Sequence, residues 1–539
     1  GAGQFALACW GAIARAAQIA RSDDWILQRA AEIAWVSRVR PRLPEGFAAK
    51  RPQAPMLQAA FCLDVRSEVL RRALEAQHPG IQTLGVAGFF GMPIEYAQLA
   101  ADDARPQLPG LLAPKYVATD TGVPRGLEAR RRARLGAKSA WKAFKSTSLS
   151  SFAFVDAMGL FFARNLYLDV FRRTPHAPEH HDRAGLTDDE DRARVPRITG
   201  RADEAPLTAQ ERCQLAEGLL RAMGLTADFA RVVLLVGHGS ESNNNPHAAG
   251  LDCGACCGQP GSVNARAAAA LLNDPEIRTQ LAARGIAIPA TTLFLGGLHN
   301  TTTDEITLYP DAAEVSLAEL QALLDRASAA TRRERAARLG LADLTDDKLR
   351  AAVIKRARNW AEVRPEWGLA GNAGFIIAPR ERTRHLDLEG RAFLHDYRAD
   401  DDPDHAVLEA IMTGPMVVAH WINFQYYAST VDNARYGSGN KVLHNIVGGH
   451  LGVFEGNGGD LRIGLSLQSL HDGERWVHAP LRLAVFIEAP RPAIDAILEK
   501  HAHVRALVDN EWLHLHQLDA SERAIYARRL EGWRSAPTT

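Results

Sequence analysis

The chain has 539 residues, of which 46% are hydrophobic and 23% charged, a globular composition. That length exceeds one ordinary core and predicts two to four domains, or one domain with large insertions. Lys plus Arg and Asp plus Glu are both 63, so the net charge is zero and general nucleic-acid binding, usually a property of basic chains, is disfavoured.

Residues 1–35 carry apolar positions at helical spacing. The chain opens inside this pattern at Gly1, without Met or a signal-peptide pattern, and reads as a fragment of a longer protein. Arg40–Pro55, rich in Pro and Arg, reads as a linker. Met56–Leu63 is an apolar run ending in polar residues, and Ser67–Ala76 has helical spacing, so the pattern is strand, tight loop, helix. Ile81–Phe90 is a second strand, with glycines that predict turns or close packing. Leu127–Lys145 is a basic helix, and Pro175–Arg194, with His176, His180 and His181, is a solvated excursion. A helix covers Gln210–Met223.

Val232–Val236 is five apolar residues followed by Gly237, the pattern of a buried parallel strand with chemistry just past its carboxyl end. Val263–Leu272 is helical, and the strand Thr291–Leu295 runs into Gly296-Gly297-Leu298-His299-Asn300. Repeated strand–loop–helix units predict an α/β core at roughly 55–310. Residues 315–360 form a charged helical layer or arm, and after 361 the texture turns loop-rich and aromatic before Leu481–Ile487 and Trp512–Leu518 return to regular structure. The most apolar stretches, Ser151–Phe162 and Met416–Tyr427, are broken by Asp156 and by His420, Asn423 and Gln425, well short of about 18 uninterrupted apolar residues.

Six cysteines are too few for a disulfide-built chain of this size and predict a reduced, cytoplasmic setting. Three of them, Cys253, Cys256 and Cys257, crowd into five residues, which points to a metal or a reactive thiol. In an extended Cys62-Leu-Asp64-Val-Arg66, the thiolate, carboxylate and guanidinium point to one side. The plainer alternative is a buried cysteine beside a strand-end salt bridge. Gly237-His238-Gly-Ser-Glu-Ser-Asn-Asn-Asn-Pro246 also follows a strand, and Cys253 and Cys256 have a spacing that suits zinc or thiol redox chemistry.

Brought together, Cys62, Asp64, His238 and one cysteine of the 253–257 cluster make an S, O, N, S set that zinc accepts tetrahedrally. Such a site is closed unless Asp64 leaves and pairs with Arg66, which frees a position for a water of near-neutral pKa. His299-Asn300-Thr-Thr-Thr-Asp304-Glu305 could line the same crevice, with His299 as a proton shuttle, or could be a helix cap. No Walker motif, Rossmann glycine fingerprint or Gly-x-Ser-x-Gly occurs.

The order Cys62-x-Asp64-x-Arg66, later histidine, later cysteine resembles the active site of β-carbonic anhydrases, in which Cys, His and Cys bind zinc and an Asp–Arg dyad orients the attacking oxygen. The chain departs from them in the 15 residues between His238 and Cys253 and in its long insertion and C-terminal region. A closer resemblance is to the DabA family of probable inorganic carbon transporter subunits. It rests on Phe61-Cys-Leu-Asp-Val-Arg-Ser-Glu68, Gly237–Pro246, His299-Asn-Thr-Thr-Thr-Asp304, Val363-Arg-Pro-Glu-Trp-Gly-Leu-Ala-Gly-Asn372 and His444-Asn445.

That resemblance implies Zn(2+) held by Cys62, Asp64, His238 and Cys253, with Asp64, Arg66 and His299 acting on CO2 or bicarbonate. It also implies a DabB-type membrane subunit related to proton-conducting complex I subunits, and a peripheral place on the cytoplasmic side of the inner membrane. The implied fold is α/β: a β-carbonic-anhydrase-like parallel or mixed sheet core with large helical insertions and a C-terminal α+β region. Residues 1–50 form a truncated helical segment and 51–310 the zinc-binding core, with its insertion at 95–225. Residues 311–539 form a helical and α+β region packed on the core, and a homo-oligomer is possible. A pump must gate its site through its partner, so the isolated chain is expected to hydrate CO2 little. The rival functions are a stand-alone zinc hydrolase, a scaffold with structural zinc, and a redox protein using Cys253 and Cys256.

Overall fold

The computed structural model describes residues 2–43, 55–110, 112–171, 183–241, 251–311, 317–359, 366–437, 443–446, 453–455 and 464–535. His176, His180, His181, most of the Arg40–Pro55 stretch and Ser242–Pro246 lie outside them, as do the side chains of His444 and Asn445.

The chain is an α/β protein with mixed sheets. Its strands begin with β1 (Leu57–Cys62), β2 (Ile81–Val86), β3 (Ile94–Ala97), β4 (Ala104–Pro106), β5 (Tyr116–Thr121) and β6 (Val195–Arg201), followed by β7 (Val232–Gly239), β8 (Leu293–Asn300) and β9 (Glu305–Tyr309). The central sheet has the order β2-β1-β7-β8-β9, parallel except for β9. β1 and β2 are buried along their whole length, as strands of a doubly covered parallel sheet should be, and their buried polar groups Gln58 and Gln82 bond to each other at 3.0 Å.

One face of this sheet packs Ala60, Leu84, Val233, Leu235 and Phe294 against the helices Ala209–Ala222, Ser262–Leu272 and Pro275–Ala283. The other packs Phe61, Leu234, Val236 and Leu295 against Leu70 and Leu74 of the helix Val65–Glu75 and Leu324 and Ala327 of the helix Ala318–Arg335. A small sheet, β4-β3-β5-β6, grows from residues 94–201 and carries the helices Leu127–Ser146 and Ser151–Phe171.

The C-terminal region forms a second mixed sheet from β10 (Gly374–Ile377), β11 (Ala392–His395), β14 (Leu483–Ile487), β15 (Leu513–Asp519), β16 (Ala524–Arg529) and β17 (Gly532–Ser535), in the order β11-β10-β14-β15-β16-β17. Between β11 and β14 the chain adds the hairpin of β12 (Leu443–Ile446) and β13 (Val453–Glu455). The helix Pro415–Val431 packs on the large sheet: Met416, Val417, Ala419 and Tyr426 join Phe375, Phe393 and Val485 in one core. Ala406–Val431 has the length and hydropathy of a membrane span, although Met416–Tyr427 does not by itself. Leu408, Ile411, Met412 and Met416 are in the core, and Gly414 ends the first helical segment, as in a core helix.

The two large sheets meet edge to edge. The β11 amide of Leu394 donates to Leu63 O at 3.2 Å, and Asp396 N donates to Gly85 O at 2.9 Å. A Cβ at Gly85 would lie 1.8 Å from Leu394 O, so the approach requires glycine. Arg71 and Arg380 pair with Asp396 and Glu75 at 3.2 and 2.8 Å, both pairs buried in this junction. The helix Ser22–Val39 is tied to the C-terminal sheet by Glu32, which accepts from Arg482 at 2.6 Å and lies 2.8 Å from His514 Nε2.

Candidate metal centre

β1 stops at Cys62, and the chain turns straight into the helix Val65–Glu75. The turn has a local cause: Asp64 is the N-cap, and its Oδ1 accepts from Arg66 N at 2.9 Å. Asp64 and Arg66 are therefore brought beside Cys62 by a capped helix start, and not by the alternation of an extended strand. β7 delivers His238 at its carboxyl end, and the loop beyond it returns Cys253, at the start of a single 3₁₀ turn, to the same point.

Cys62, His238 and Cys253 are buried, and their ligand atoms all lie within 4.8 Å of one another. His238 Nδ1 is buried without a hydrogen-bond partner among the described residues. The hydrogen bond with Cys253, and then burial, push the Cys62 thiol well up. A hydrogen bond with Cys256, and then burial, raise Cys253 likewise. Two thiols and an imidazole packed in this way are costly to charge on their own, and a cation among them removes that cost by holding the sulfurs as thiolates. The residues present thus fit a Cys2His metal site with room for a fourth ligand.

Asp64 stands beside this cluster, turned to Arg66. Arg66 Nε donates to Oδ1 at 2.9 Å and Nη2 to Oδ2 at 3.1 Å, a bidentate pair. Asp64 Oδ2 is 3.6 Å from His238 Nε2, and Arg66 Nη2 is 3.2 Å from the same nitrogen. Burial alone would raise the Asp64 carboxyl, but the charges of Arg66 and His238 and the bonds from Arg66 hold it well below the usual carboxylate range. Arg66 Nη1 donates to Glu366 Oε1 at 2.9 Å, to Thr301 Oγ1 at 3.1 Å and to Leu251 O.

His299 is paired in register with His238 on the neighbouring strand, so the two side chains share a face of the sheet. His299 is fully buried, its Nε2 lies 3.1 Å from Asp304 Oδ1, and burial lowers its pKa. The Asn/Thr-rich segment after it is the tight turn of the β8–β9 hairpin, with Asp304 left-handed at φ 56°, and not a helix cap. Cys256 is buried, bonded to Cys253 and with its Sγ 3.5 Å from Gly88 O, and Cys257 is half-buried; neither is among the three ligand atoms that lie within 4.8 Å of one another.

A cavity of about 340 Å³ opens over the cluster. Cys62, Asp64 and His238 line it together with apolar groups that include Phe89, Leu112, Phe393, Val418 and Ile422. The aromatic helix Pro415–Val431 therefore supplies both core and cavity wall. Two participants carried no chemical signal in the sequence. One is Glu366, which lies inside a long family motif but has no tell-tale spacing. The other is Gly88, where a Cβ would meet Cys253 Sγ at 2.7 Å and Cys62 Sγ at 2.8 Å. Gly88 is needed for space and not for a special backbone angle, so Gly88→Ala is expected to fold but to hold metal about 10–100-fold more weakly, as read by metal competition.

The family model described as "Probable inorganic carbon transporter subunit DabA" matches residues 6–513. The probable inorganic carbon transporter subunit DabA of Ectopseudomonas mendocina is 52% identical over 522 residues, 94% of this chain and 63% of that protein. That of Methylovorus glucosotrophus is 50% identical over 531 residues, 95% of this chain and 61% of that protein. DabA2 of Halothiobacillus neapolitanus is 49% identical over 531 residues, 97% and 63% of the two chains. The chain spans about six tenths of the length of these curated relatives. No solved structure gives a significant match. Because the likeness runs nearly end to end and includes Cys62, Asp64, Arg66, His238 and Cys253 within the matched span, the chain belongs to the DabA family, the probable inorganic carbon transporter subunits.

Proposed function

We propose that this chain is the zinc-binding part of an inorganic carbon pump and hydrates CO2 to bicarbonate in a carbonic-anhydrase-like site. The observation that carries this reading is the Cys62–His238–Cys253 cluster beside the Asp64–Arg66 dyad, at the floor of an otherwise apolar cavity. Zinc bound there would lower the pKa of a water towards neutrality and so supply a nucleophile for CO2. The apolar walls accept a small non-polar gas and keep other water away. Asp64, held by Arg66, would orient the attacking oxygen by accepting its hydrogen, and would be available as a fourth ligand if it let go of Arg66. In this reading His299 takes up a proton at Nδ1, which has no partner among the described residues, while Asp304 holds its Nε2.

The partner in this reading is a DabB-type membrane protein, with this chain peripheral on the cytoplasmic face. The helices Leu127–Ser146 and Ser151–Phe171 support it, because they project an apolar surface. On the second helix Leu160 is 89% exposed and Phe152 81%, and Leu149, in the turn between the two helices, is 96% exposed. Patches of this kind mark interaction sites, and Lys138, Lys142 and Lys145 beside them suit an anionic membrane face.

The test is labelled CO2 uptake by cells that lack their own carbonic anhydrase and express the full-length protein with its membrane partner. Uptake is expected to need both proteins and to vanish with Asp64→Ala. Rapid ester cleavage by the isolated chain, with no uptake in the pair, would instead establish the stand-alone hydrolase.

A further inference from the structure

The thiol beside the metal cluster has no part in the chemistry above. Cys256 is as fully buried as Cys253, and the Cys-x-x-Cys spacing that suits a metal is equally that of a redox pair. The fold brings the two residues together. Cys256 N donates to Cys253 O at 3.0 Å, closing the 3₁₀ turn Gly254–Cys256, and Gly258 N donates to the same carbonyl at 2.9 Å. A turn closed in this way holds the Cα atoms of its end residues within about 7 Å, the span that a disulfide bridges. The side chains converge as well, because Cys253 and Cys256 are hydrogen-bonded to each other. All three sulfurs crowd around Gly88. Cys256 Sγ lies 3.5 Å from its carbonyl, and a Cβ there would be 2.7 Å from Cys253 Sγ and 2.8 Å from Cys62 Sγ. The apolar cavity gives a small reagent a path to them, because its wall includes Cys62 and both residues between the paired cysteines, Gly254 and Ala255.

We propose that Cys253 and Cys256 form a reversible disulfide when the protein meets hydrogen peroxide, and that this modification empties the metal site. It rests on the metal reading above and not on CO2 hydration. A bound metal holds Cys253 as the thiolate, which is the reactive form. The Cys253 sulfur attacks hydrogen peroxide: an S–O bond forms, the O–O bond breaks and hydroxide leaves. That hydroxide takes the Cys256 proton and becomes water. The Cys256 thiolate then attacks the Cys253 sulfur: the S–S bond forms, the S–O bond breaks and a second hydroxide leaves. The two sulfurs together lose two electrons, and one peroxide gains them. Cys253 then has no thiolate to offer, and Cys62 and His238 alone are too few protein ligands for zinc. Cys256 is the resolving thiol. Without it the Cys253 sulfenic acid stays open to further, irreversible oxidation.

The experiment treats the full-length, zinc-loaded protein, in complex with its membrane partner, with hydrogen peroxide. A chromogenic chelator reads the zinc released, and mass spectrometry after alkylation of free thiols reads the linkage. Wild type is expected to release its zinc as a Cys253–Cys256 disulfide forms, and dithiothreitol with added zinc should restore the starting state. Cys256→Ser is expected to carry zinc as wild type does. Under peroxide it should end with Cys253 as the sulfinic acid, and dithiothreitol should not bring its zinc binding back. Cys257→Ser should behave as wild type. Zinc retained in excess peroxide, a disulfide that joins Cys62 instead, or a Cys256→Ser variant that recovers as fully as wild type would each overturn the proposal. Protein that holds no zinc before peroxide is added would overturn the metal reading itself, an outcome visible before any oxidation.

Discussion

Purified protein is expected to carry one zinc per chain, and Cys62→Ser, His238→Ala and Cys253→Ser are each expected to lose it, while Cys256→Ser and Cys257→Ser keep it. The three ligand atoms come from the end of β1, the end of β7 and a returning loop, so only a shared ion makes all three changes equivalent. Serine preserves the shape of cysteine but offers a hydroxyl that stays protonated, and removing a soft thiolate weakens zinc far more than an indirect change does. Loss beyond the roughly 100-fold typical of outer contacts is therefore expected. Cys256 is the informative control. It is as buried as Cys253, three residues away and bonded to it, yet its sulfur also bonds to the Gly88 carbonyl and lies outside the Cys62–His238–Cys253 group. Chelating the metal from wild type should also lower the unfolding midpoint, because an ion that binds the folded chain stabilises it. Zinc that survives all three ligand changes would refute the site.

The parts of this centre that the sequence revealed are those whose signal is local. Continuous apolar runs marked β1, β7 and β8, and polar residues directly after them marked the sheet's carboxyl edge, where α/β proteins place their chemistry. What the sequence hid depends on tertiary packing. β10 and β11 are four-residue strands set among turns, too short to show a period. Their sheet closes the far wall of the apolar cavity through Phe393. Glu366 looks like one more charge in a turn-rich stretch, and only the fold shows it buried against Arg66. The Asp64 cap does have a local signal, because Asp before a helical run is a start signal that competes with strand continuation.

Arg66→Met is expected to destabilise the fold by about 3–5 kcal/mol and to abolish uptake. Methionine keeps much of the stem volume, which matters because the stem packs against Gly368, where a Cβ would lie 2.3 Å from Arg66 Cδ. What it removes is the charge. Asp64 and Glu366 are both buried, and each relies on this guanidinium, at 2.9 Å. Taking away one cation therefore strands two carboxylates, together with the Leu251 carbonyl. A buried charge left alone costs more than the pair ever contributed, which is why loss of one partner is worse than loss of both. The double variant Arg66→Met, Asp64→Asn should recover part of the stability and none of the uptake, because it neutralises a stranded carboxylate while leaving nothing to orient the attacking oxygen. Calorimetry and uptake on the same four proteins of the cycle separate the two roles. A single variant as stable as wild type would show that the dyad is solvated in the working protein.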